Sequence, residues 1–431
     1  MTAVTGSRPS PPEAGARADA LRRWRHVRRR SEELAAPLTP EDQGIQSMPD
    51  ASPTKWHLGH TTWFFETLLL VPHAPGYRPF DTRFPLLFNS YYEALGPRHP
   101  RPQRGVLSRP AAAEVAAWRQ RVDGAVADLI ATADAATWAA VAPLLDLGLA
   151  HEEQHQELLL TDIKHALSLN PLAPAYDPAL PVPEGTAPPL EWIIHPGGLV
   201  DIGHAAGAGF AYDNEEPRHR CWLEPFRLAS RAVTCGEFLA FIDDGGYARP
   251  EFWHADGWDA GRLHGWGAPL YWHRQPGGGW TTFTLAGPRP VAEAEPVTHL
   301  SFYEAAAYAA WAGARLPTEA EWEAVAAGCP VAGTFATPGA PLHPAPAAGG
   351  RPAQMFGDVW EWTSSAYAPY PGFRPFAGVA AEYNGKFMVN QMVLRGGSCA
   401  TPAGHVRASY RNFFPPSARW QFSGVRLAED V

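Results

Sequence analysis

A proline-rich segment at residues 171–189, PLAPAYDPALPVPEGTAPP, divides this 431-residue chain into two parts of different texture. Proline fixes φ and removes a backbone donor, so the segment can neither continue a helix nor form a central strand. A chain of this length also exceeds the usual size of a single hydrophobic core. We therefore interpret the segment as a linker between two domains.

The part before the linker is predicted to be helical, because its apolar residues recur at helical spacing. The four predicted helices cover residues 18–34, 54–70, 112–133 and 137–169. Ser52 is the expected N-cap of the second helix. Four helices with mostly modest connections indicate an antiparallel bundle over residues 18–170. Residues 1–17, rich in proline and small side chains, are expected to be disordered.

The part after the linker, residues 190–431, alternates short apolar runs with turns rich in Gly, Pro and Asp. This pattern predicts short strands and loops. Helices are predicted only at residues 235–242, 301–311 and 319–327, the last with Thr318 as N-cap. The chain as a whole is therefore assigned to the α+β class.

Charge and composition exclude several kinds of partner. The net charge of −9 argues against a surface for nucleic acid, whose phosphates require clustered positive charge. No apolar run approaches a bilayer span, and no secretory leader is recognisable. The four cysteines are far apart and indicate no disulfide framework. A cytoplasmic protein that acts on small molecules, without a nucleic-acid or membrane partner, is expected.

The motif HEEQHQE at residues 151–157 is the strongest chemical signal in the chain. On a helix, His151 and His155 are four residues apart and project from one face, so two imidazoles can meet one cation. Histidine pairs at this spacing also occur as ordinary core or surface residues. The motif alone therefore leaves both interpretations open.

A third histidine on the second predicted helix favours a metal. His60 lies in a stripe with Trp56 and Trp63 at the spacing of a buried helix face. A buried imidazole needs a partner, and a metal ion in the bundle would provide one. His57 is the competing candidate, and His165 is a possible fourth ligand. Three histidines leave coordination positions open for substrate, and imidazole suits iron, zinc, nickel or copper.

Five motifs together resemble the sulfoxide synthases of ergothioneine biosynthesis. The motifs are KWHLGHTTWFFE, HEEQHQE, GDVWEWTSS, LRGGSCATP and RASYRNFF. The resemblance covers roughly residues 18–431. It implies a DinB-like four-helix bundle followed by a domain like that of formylglycine-generating enzymes, which is a variant of the C-type lectin fold.

The resemblance also implies the chemistry. These enzymes use non-haem iron(II) and dioxygen to join the sulfur of a thiol to the imidazole C2 of Nα-trimethylhistidine (hercynine), leaving a sulfoxide. The iron ligands carry over as His60, His151 and His155. Gln154 matches a position near the hercynine imidazole and carboxylate, and Asn412 matches a substrate-contacting position beside the iron.

Aromatic side chains are candidates for two further roles. The quaternary ammonium of hercynine is best held against aromatic faces, and Phe413 and Phe414 are the candidates. The tandem pair in FNSYYEALG resembles a variant branch whose catalytic tyrosine comes from the helical domain. This similarity assigns Tyr92 as proton or electron donor and Tyr91 as its neighbour. Packing is the alternative role for all four residues.

The sequence departs from the family at the thiol site. Where relatives that use γ-glutamylcysteine carry an Asp and two Arg, this chain has Phe414, Ala418 and Arg419. The loss of a carboxylate and a guanidinium predicts a preference for free cysteine. Three arginines are candidates to bind the carboxylate of cysteine: Arg98, Arg101 and Arg104.

Three alternatives remain at this stage. An ovothiol-type 5-histidylcysteine sulfoxide synthase would use unmethylated histidine as acceptor. A DinB-type thiol transferase would use zinc or nickel and no dioxygen. A C-type-lectin-like module could bind a ligand without catalysis.

Overall fold

The computed structural model describes residues 11–431, which form two compact units. The first unit extends to Ala166 and the second runs from Leu167 to Val431.

The first unit contains the predicted bundle. Its helices are α1 (Pro11–Ala35), α2 (Thr54–Phe65), α3 (Phe84–Phe88), α4 (Ala112–Thr132) and α5 (Ala135–Ser168). A π-helical turn, Glu66–Leu70, extends α2. Buried Trp24, Trp63 and Trp118 contribute to the core of the bundle. No helix in the described part of the chain is long and apolar enough to cross a membrane.

The first helix begins at Pro11, before the predicted start at residue 18. Arg17 is buried, and its guanidinium donates to the carbonyls of Ile130 at 3.3 Å and Ala133 at 2.6 Å. These carbonyls end α4 and need donors. The expected disorder is therefore wrong for residues 11–17, and residues 1–10 lie outside the described part of the chain.

Ser52 is not the N-cap of α2, contrary to the prediction. Pro53 occupies that position, and no side chain caps the helix there. The Ser52 N–H instead donates to Asp162 Oδ2 on α5 at 2.7 Å. The Ser52 hydroxyl accepts from Arg104 Nη1 at 2.9 Å. Ser52 thus links the start of α2 to α5 and to the connection that follows α3.

The long connection between α2 and α4 is ordered around α3 and two 3₁₀ turns, Glu93–Leu95 and Arg101–Val106. Gly59 on α2 allows α3 to approach closely, since a Cβ there would lie 2.2 Å from the Phe88 ring. The connection is therefore packed against the bundle.

The proline-rich segment 171–189 forms turns and irregular backbone. Its Tyr176 is buried and donates its N–H to Leu285 O at 2.9 Å. Pro188 O accepts from Arg231 Nε at 2.7 Å. The segment is therefore packed onto the second unit by its own contacts.

The second unit is built from short strands. They are β1 (Trp192–His195), β2 (Gly198–Ile202), β3 (His219–Leu223), β4 (Phe226–Ala229), β5 (Trp272–Arg274), β6 (Trp280–Thr284), β7 (Gly287–Pro290), β8 (Trp360–Ala366), β9 (Met392–Arg395), β10 (Asn412–Phe414), β11 (Ser423–Gly424) and β12 (Ala428–Asp430). Their sheets have the orders β1-β4-β12, β10-β9-β8-β11, β2-β3 and β5-β6-β7. All pairs are antiparallel except β11 with β8.

Four helices accompany these sheets: α6 (Cys235–Asp243), α7 (Ala255–His264), α8 (Phe302–Trp311) and α9 (Glu319–Ala326). The predictions for α6, α8 and α9 are confirmed, and Thr318 does cap α9. Helix α7 was not predicted because its sequence, ADGWDAGRLH, is polar and contains two glycines. Gly257 is required by packing, since a Cβ there would lie 2.6 Å from Tyr303.

Candidate metal centre

Two helices bring the three predicted histidines together. His60 comes from α2, and His151 and His155 come from successive turns of α5. The ring centroids lie 4.9 Å (His60–His151), 4.7 Å (His60–His155) and 4.6 Å (His151–His155) apart. One ring nitrogen from each lies within 4.8 Å of the other two. Two ligands at about 2.1 Å from one ion can be separated by about 4.2 Å at most, so small side-chain adjustments suffice.

The three imidazoles are neutral, as metal ligands must be. Burial lowers the pKa of His60 and of His155 well below the ordinary value, and the neighbouring His151 lowers both further. Burial also lowers the pKa of His151 to about 3, against the opposing effect of Glu152. The cluster therefore offers lone pairs at neutral pH instead of positive charge.

His60 has one nitrogen directed at a partner and one without a partner. Its Nδ1 donates to the Phe88 carbonyl at 2.6 Å. Its Nε2 is buried and has no hydrogen-bond partner among the described residues. The ring is stacked on Trp56 at 4.6 Å and on Trp63 at 5.5 Å. A buried acceptor without a partner is costly, so this geometry fits a bound cation at Nε2.

The other histidines considered as ligands have different roles. His57 Nδ1 lies 2.8 Å from His155 Nδ1, and His57 Nε2 lies 3.1 Å from Asp162 Oδ2. His165 Nδ1 lies 2.7 Å from Ser47 Oγ. Neither belongs to the metal-binding group.

A buried ion-pair network supports α5, the helix that carries His151 and His155. Glu152 is completely buried and accepts from Arg28 Nη1 at 2.8 Å, from Ser31 Oγ at 2.6 Å and from Arg119 Nη2. Burial by itself would raise the pKa of Glu152, but Arg119 and Arg28 hold that pKa at about 2. This carboxylate joins α1, α4 and α5, and sequence inspection did not identify it.

The tandem tyrosines lie on the connection after α3. Tyr92 is fully buried, with its ring 5.5 Å from Trp63, and Trp63 is stacked on His60. Tyr91 is half-buried and stacked on Tyr92 at 4.7 Å. Tyr92 is therefore separated from His60 by one indole.

The three candidate arginines have different surroundings. Arg98 is exposed and bonds Glu93 at 2.8 Å, and exposed Arg101 donates to the Asp50 carbonyl. Arg104 is buried 3.3 Å above the Trp56 ring and donates only to the hydroxyls of Ser52 and Ser90. Burial lowers the pKa of Arg104 to about 8. No described carboxylate forms an ion pair with it, so it is the arginine prepared to receive an anion.

The remaining predicted substrate contacts lie on α5 and in the second unit. Gln154 is half-buried on α5, between the two histidines of the motif. Asn412, Phe413 and Phe414 form β10 and are half-buried. Phe413 is stacked on Tyr367 at 4.0 Å, and Phe414 meets Trp420 edge-on at 6.0 Å.

Arg419, the residue retained from the expected thiol site, already has a carboxylate partner. Its Nη2 donates to Glu304 Oε1 at 2.7 Å, and its guanidinium lies 4.4 Å above the Trp266 ring. Glu304 is completely buried and also accepts from Tyr247 Oη at 2.6 Å.

Both parts of the chain match known domain families. Residues 23–159 match the DinB superfamily, and residues 179–348 and 352–431 match the sulfatase-modifying factor enzyme 1-like domain. Fold and site together define a two-domain protein in which a DinB-type bundle with a three-histidine centre precedes a sulfatase-modifying-factor domain. This confirms the predicted fold class.

Relatives over most of the chain identify the family. The chain is 35% identical over 413 residues to the hercynine oxygenase of Mycobacterium tuberculosis, covering 89% of this chain and 92% of the relative. It is 37% identical to the hercynine oxygenase of Mycolicibacterium thermoresistibile, covering 89% of this chain and 88% of the relative. It is 41% identical to the hercynine oxygenase of Mycolicibacterium smegmatis, covering 66% of this chain and 71% of the relative. The chain belongs to the hercynine oxygenase family, and it is an enzyme of the oxygenase class.

Proposed function

We propose that this enzyme joins the sulfur of a thiol to the imidazole C2 of hercynine, using dioxygen, as a step of ergothioneine biosynthesis. The S–H and C2–H bonds break, a C–S bond forms, and the sulfur is oxidised to a sulfoxide. Dioxygen is the oxidant, with one of its oxygen atoms leaving in the sulfoxide and the other in water. The names of the relatives favour this reaction over the ovothiol-type and thiol-transferase alternatives.

Iron(II) is the proposed metal, held by His60, His151 and His155. The observation that carries the proposal is the convergence of three neutral imidazoles, of which His60 and His151 are buried and His155 is half-buried, with His60 Nε2 lacking any described partner. Bound iron(II) would supply dioxygen activation and a position for the thiolate sulfur. The three residues supply a site that stays uncharged until the ion enters.

Arg104 is the proposed anchor for the carboxylate of the thiol substrate. Its guanidinium is fixed by Trp56 and two serine hydroxyls, and no described carboxylate lies within ion-pair distance of it. A carboxylate that enters this buried position would gain a charge-assisted hydrogen bond at low local dielectric. Arg98 and Arg101 are weaker candidates because they are exposed and already bonded.

Cysteine is the proposed thiol in preference to γ-glutamylcysteine. Phe414 and buried Ala418 offer no charge to a second zwitterionic group. Arg419 is paired with Glu304, so binding a γ-glutamyl carboxylate would require this buried ion pair to open.

Tyr92 is the proposed proton donor, with Tyr91 beside it. The Tyr92 phenol is completely buried next to Trp63, so a proton at its Oη is shielded from bulk water. Stacking on Tyr91 fixes the orientation of its ring.

The proposed hercynine contacts are Gln154, Asn412, Phe413 and Phe414. The amides offer hydrogen bonds to the imidazole and the carboxylate. The trimethylammonium group cannot donate a hydrogen bond, and half-buried aromatic faces suit it.

The test is anaerobic reconstitution of the full chain with iron(II), followed by hercynine, cysteine and air, with mass detection of the sulfoxide. Parallel reactions omit iron, omit air, or replace hercynine by histidine and cysteine by γ-glutamylcysteine. We expect a product carrying one oxygen atom from dioxygen, formed only with iron and air.

Three outcomes would contradict parts of the proposal. Turnover without air, or with zinc in place of iron, would favour the thiol transferase. Efficient use of histidine but not hercynine would favour the ovothiol-type reaction. Turnover with γ-glutamylcysteine and none with cysteine would reject the proposed thiol.

A further inference from the structure

The imidazole of His57 lies directly behind one of the proposed ligands. His57 is on α2, three residues before His60, and is buried. Its Nδ1 is 2.8 Å from His155 Nδ1, and its Nε2 is 3.1 Å from Asp162 Oδ2. Both ring nitrogens of His57 are thus engaged, which explains why it does not join the metal-binding group.

With Asp162 ionised and His57 neutral, only one arrangement of protons satisfies these hydrogen bonds. Asp162 Oδ2 accepts from the Ser52 N–H at 2.7 Å and also from His57 Nε2–H. His57 Nδ1 must then be an acceptor, so His155 Nδ1 donates to it. The proton of neutral His155 is therefore on Nδ1, and the lone pair is on Nε2.

We propose that His57 and Asp162 are positioning residues that fix the tautomer of His155 and direct its Nε2 at the metal. The inference rests on the three-histidine metal centre under Proposed function. His60 is fixed in the same sense by the Phe88 carbonyl, which accepts from its Nδ1. A hydrogen bond from the remote nitrogen orients a ligating imidazole and makes it a stronger donor.

The carboxylate is itself held in place from two elements. Asp162 is on α5, seven residues after His155, and its second contact, Ser52 N–H, precedes α2. The same serine accepts from Arg104 through its hydroxyl. The series of hydrogen bonds Ser52–Asp162–His57–His155 therefore connects α2 and α5 behind the metal centre.

The test measures metal affinity instead of turnover. Metal-free full-length protein is titrated with Co(II) under nitrogen in competition with a chelator, and the visible absorption of the bound ion is recorded. His57→Phe keeps the aromatic shape and removes the acceptor, whereas His57→Gln offers a carbonyl oxygen to His155 Nδ1. We expect His57→Phe to weaken Co(II) binding about 10- to 100-fold and to change the spectrum, and His57→Gln to recover most of the loss.

His165→Phe is the matched control, because it removes a histidine on the same helix that bonds Ser47 at 2.7 Å and does not belong to the metal-binding group. Its affinity for Co(II) is expected to stay within about twofold of the parent, as for other changes outside the ligand shells.

A folded His57→Phe protein with the affinity and spectrum of the parent would overturn the inference. If thermal unfolding shows that His57→Phe is not folded, the same Co(II) titration is made on Asp162→Asn. Unchanged Co(II) affinity of Asp162→Asn overturns the inference, and a severalfold loss of affinity supports it. Failure of the parent itself to bind Co(II) or iron(II) would remove the proposed metal centre, and the inference with it.

Discussion

Replacing Glu152 by Gln should destabilise the bundle far more than breaking a similar ion pair on its surface. Glu152 has no exposed surface, and its two oxygens accept from Arg28, Arg119 and Ser31. An amide would turn an NH₂ group toward a guanidinium and leave buried positive charge uncompensated. Breaking a buried ion pair in this way costs about 3–5 kcal/mol.

The ion-pair partners that Arg28 and Arg119 keep after Glu152→Gln favour the lower end of that range. Arg28 keeps Asp123 at 2.6 Å, and Arg119 keeps Glu32 at 3.4 Å. We therefore expect Glu152→Gln to lower the free energy of unfolding of the first unit by about 3 kcal/mol. The matched control is Asp146→Asn, which breaks a pair between the same helices, Arg23–Asp146, whose side chains are 49% and 40% exposed.

The control should lose no more than about 1 kcal/mol, because exposed ion pairs are screened by water. The assay is equilibrium urea unfolding of the metal-free chain, fitted with a separate transition for each unit, since a two-domain chain need not unfold in one step. Equal and small losses for Glu152→Gln and Asp146→Asn would refute the reasoning that Glu152 compensates the buried arginines.

Three further predictions concern the site. Arg104→Met should raise KM for cysteine about 10- to 100-fold through loss of a charged hydrogen bond, while exposed Arg101→Met should not; equal effects would reject Arg104 as the anchor. Tyr92→Phe should lower kcat about 10²- to 10⁴-fold in steady-state assays with little change in KM, whereas a larger effect of Tyr91→Phe would transfer the donor role. Gly59→Ala should lower the free energy of unfolding in urea by about 1–3 kcal/mol, because the new Cβ displaces Phe88. It should also weaken iron(II) binding in dialysis, because the Phe88 carbonyl orients His60. Destabilisation no greater than that of exposed Gly124→Ala would contradict this prediction.

The sequence was sufficient to predict that His60, His151 and His155 converge, because helical geometry alone determines much of this arrangement. His151 and His155 share a face at any position of a regular helix. The stripe of Trp56, His60 and Trp63 correctly predicted that His60 lies between two indoles and faces the core. Helix ends were also predictable where a capping residue marks them, as Thr318 does for α9.

The partners of these residues could not be predicted, because they come from distant parts of the chain. Arg28 and Arg119 reach Glu152 from α1 and α4, and no local pattern links them. Ser52 resembles an N-cap, but a tertiary acceptor, Asp162, takes its N–H instead. The start of α1 was missed for the same reason, since Arg17 is held by carbonyls at the end of α4.

The distribution of charge around the histidines indicates what completes the site. Arg28 and Arg119 are neutralised by Glu152 together with Asp123 and Glu32, so they leave little net field at the three histidines. Arg104 is the exception: it is buried, has only hydroxyl partners among the described residues, and stacks on the Trp56 ring that itself stacks on His60. A buried cation with no carboxylate at ion-pair distance is unfavourable, and burial accordingly lowers the pKa of Arg104, against the opposing effect of Asp162. A substrate carboxylate at Arg104 relieves that cost, so the free energy of substrate binding should depend on the negative charge of the thiol substrate. Cysteamine, which lacks the carboxylate of cysteine, should therefore have a higher KM than cysteine in the parent. Arg104→Met should change the KM for cysteamine little or not at all. Equal KM values for cysteine and cysteamine in the parent would show that Arg104 does not bind the carboxylate.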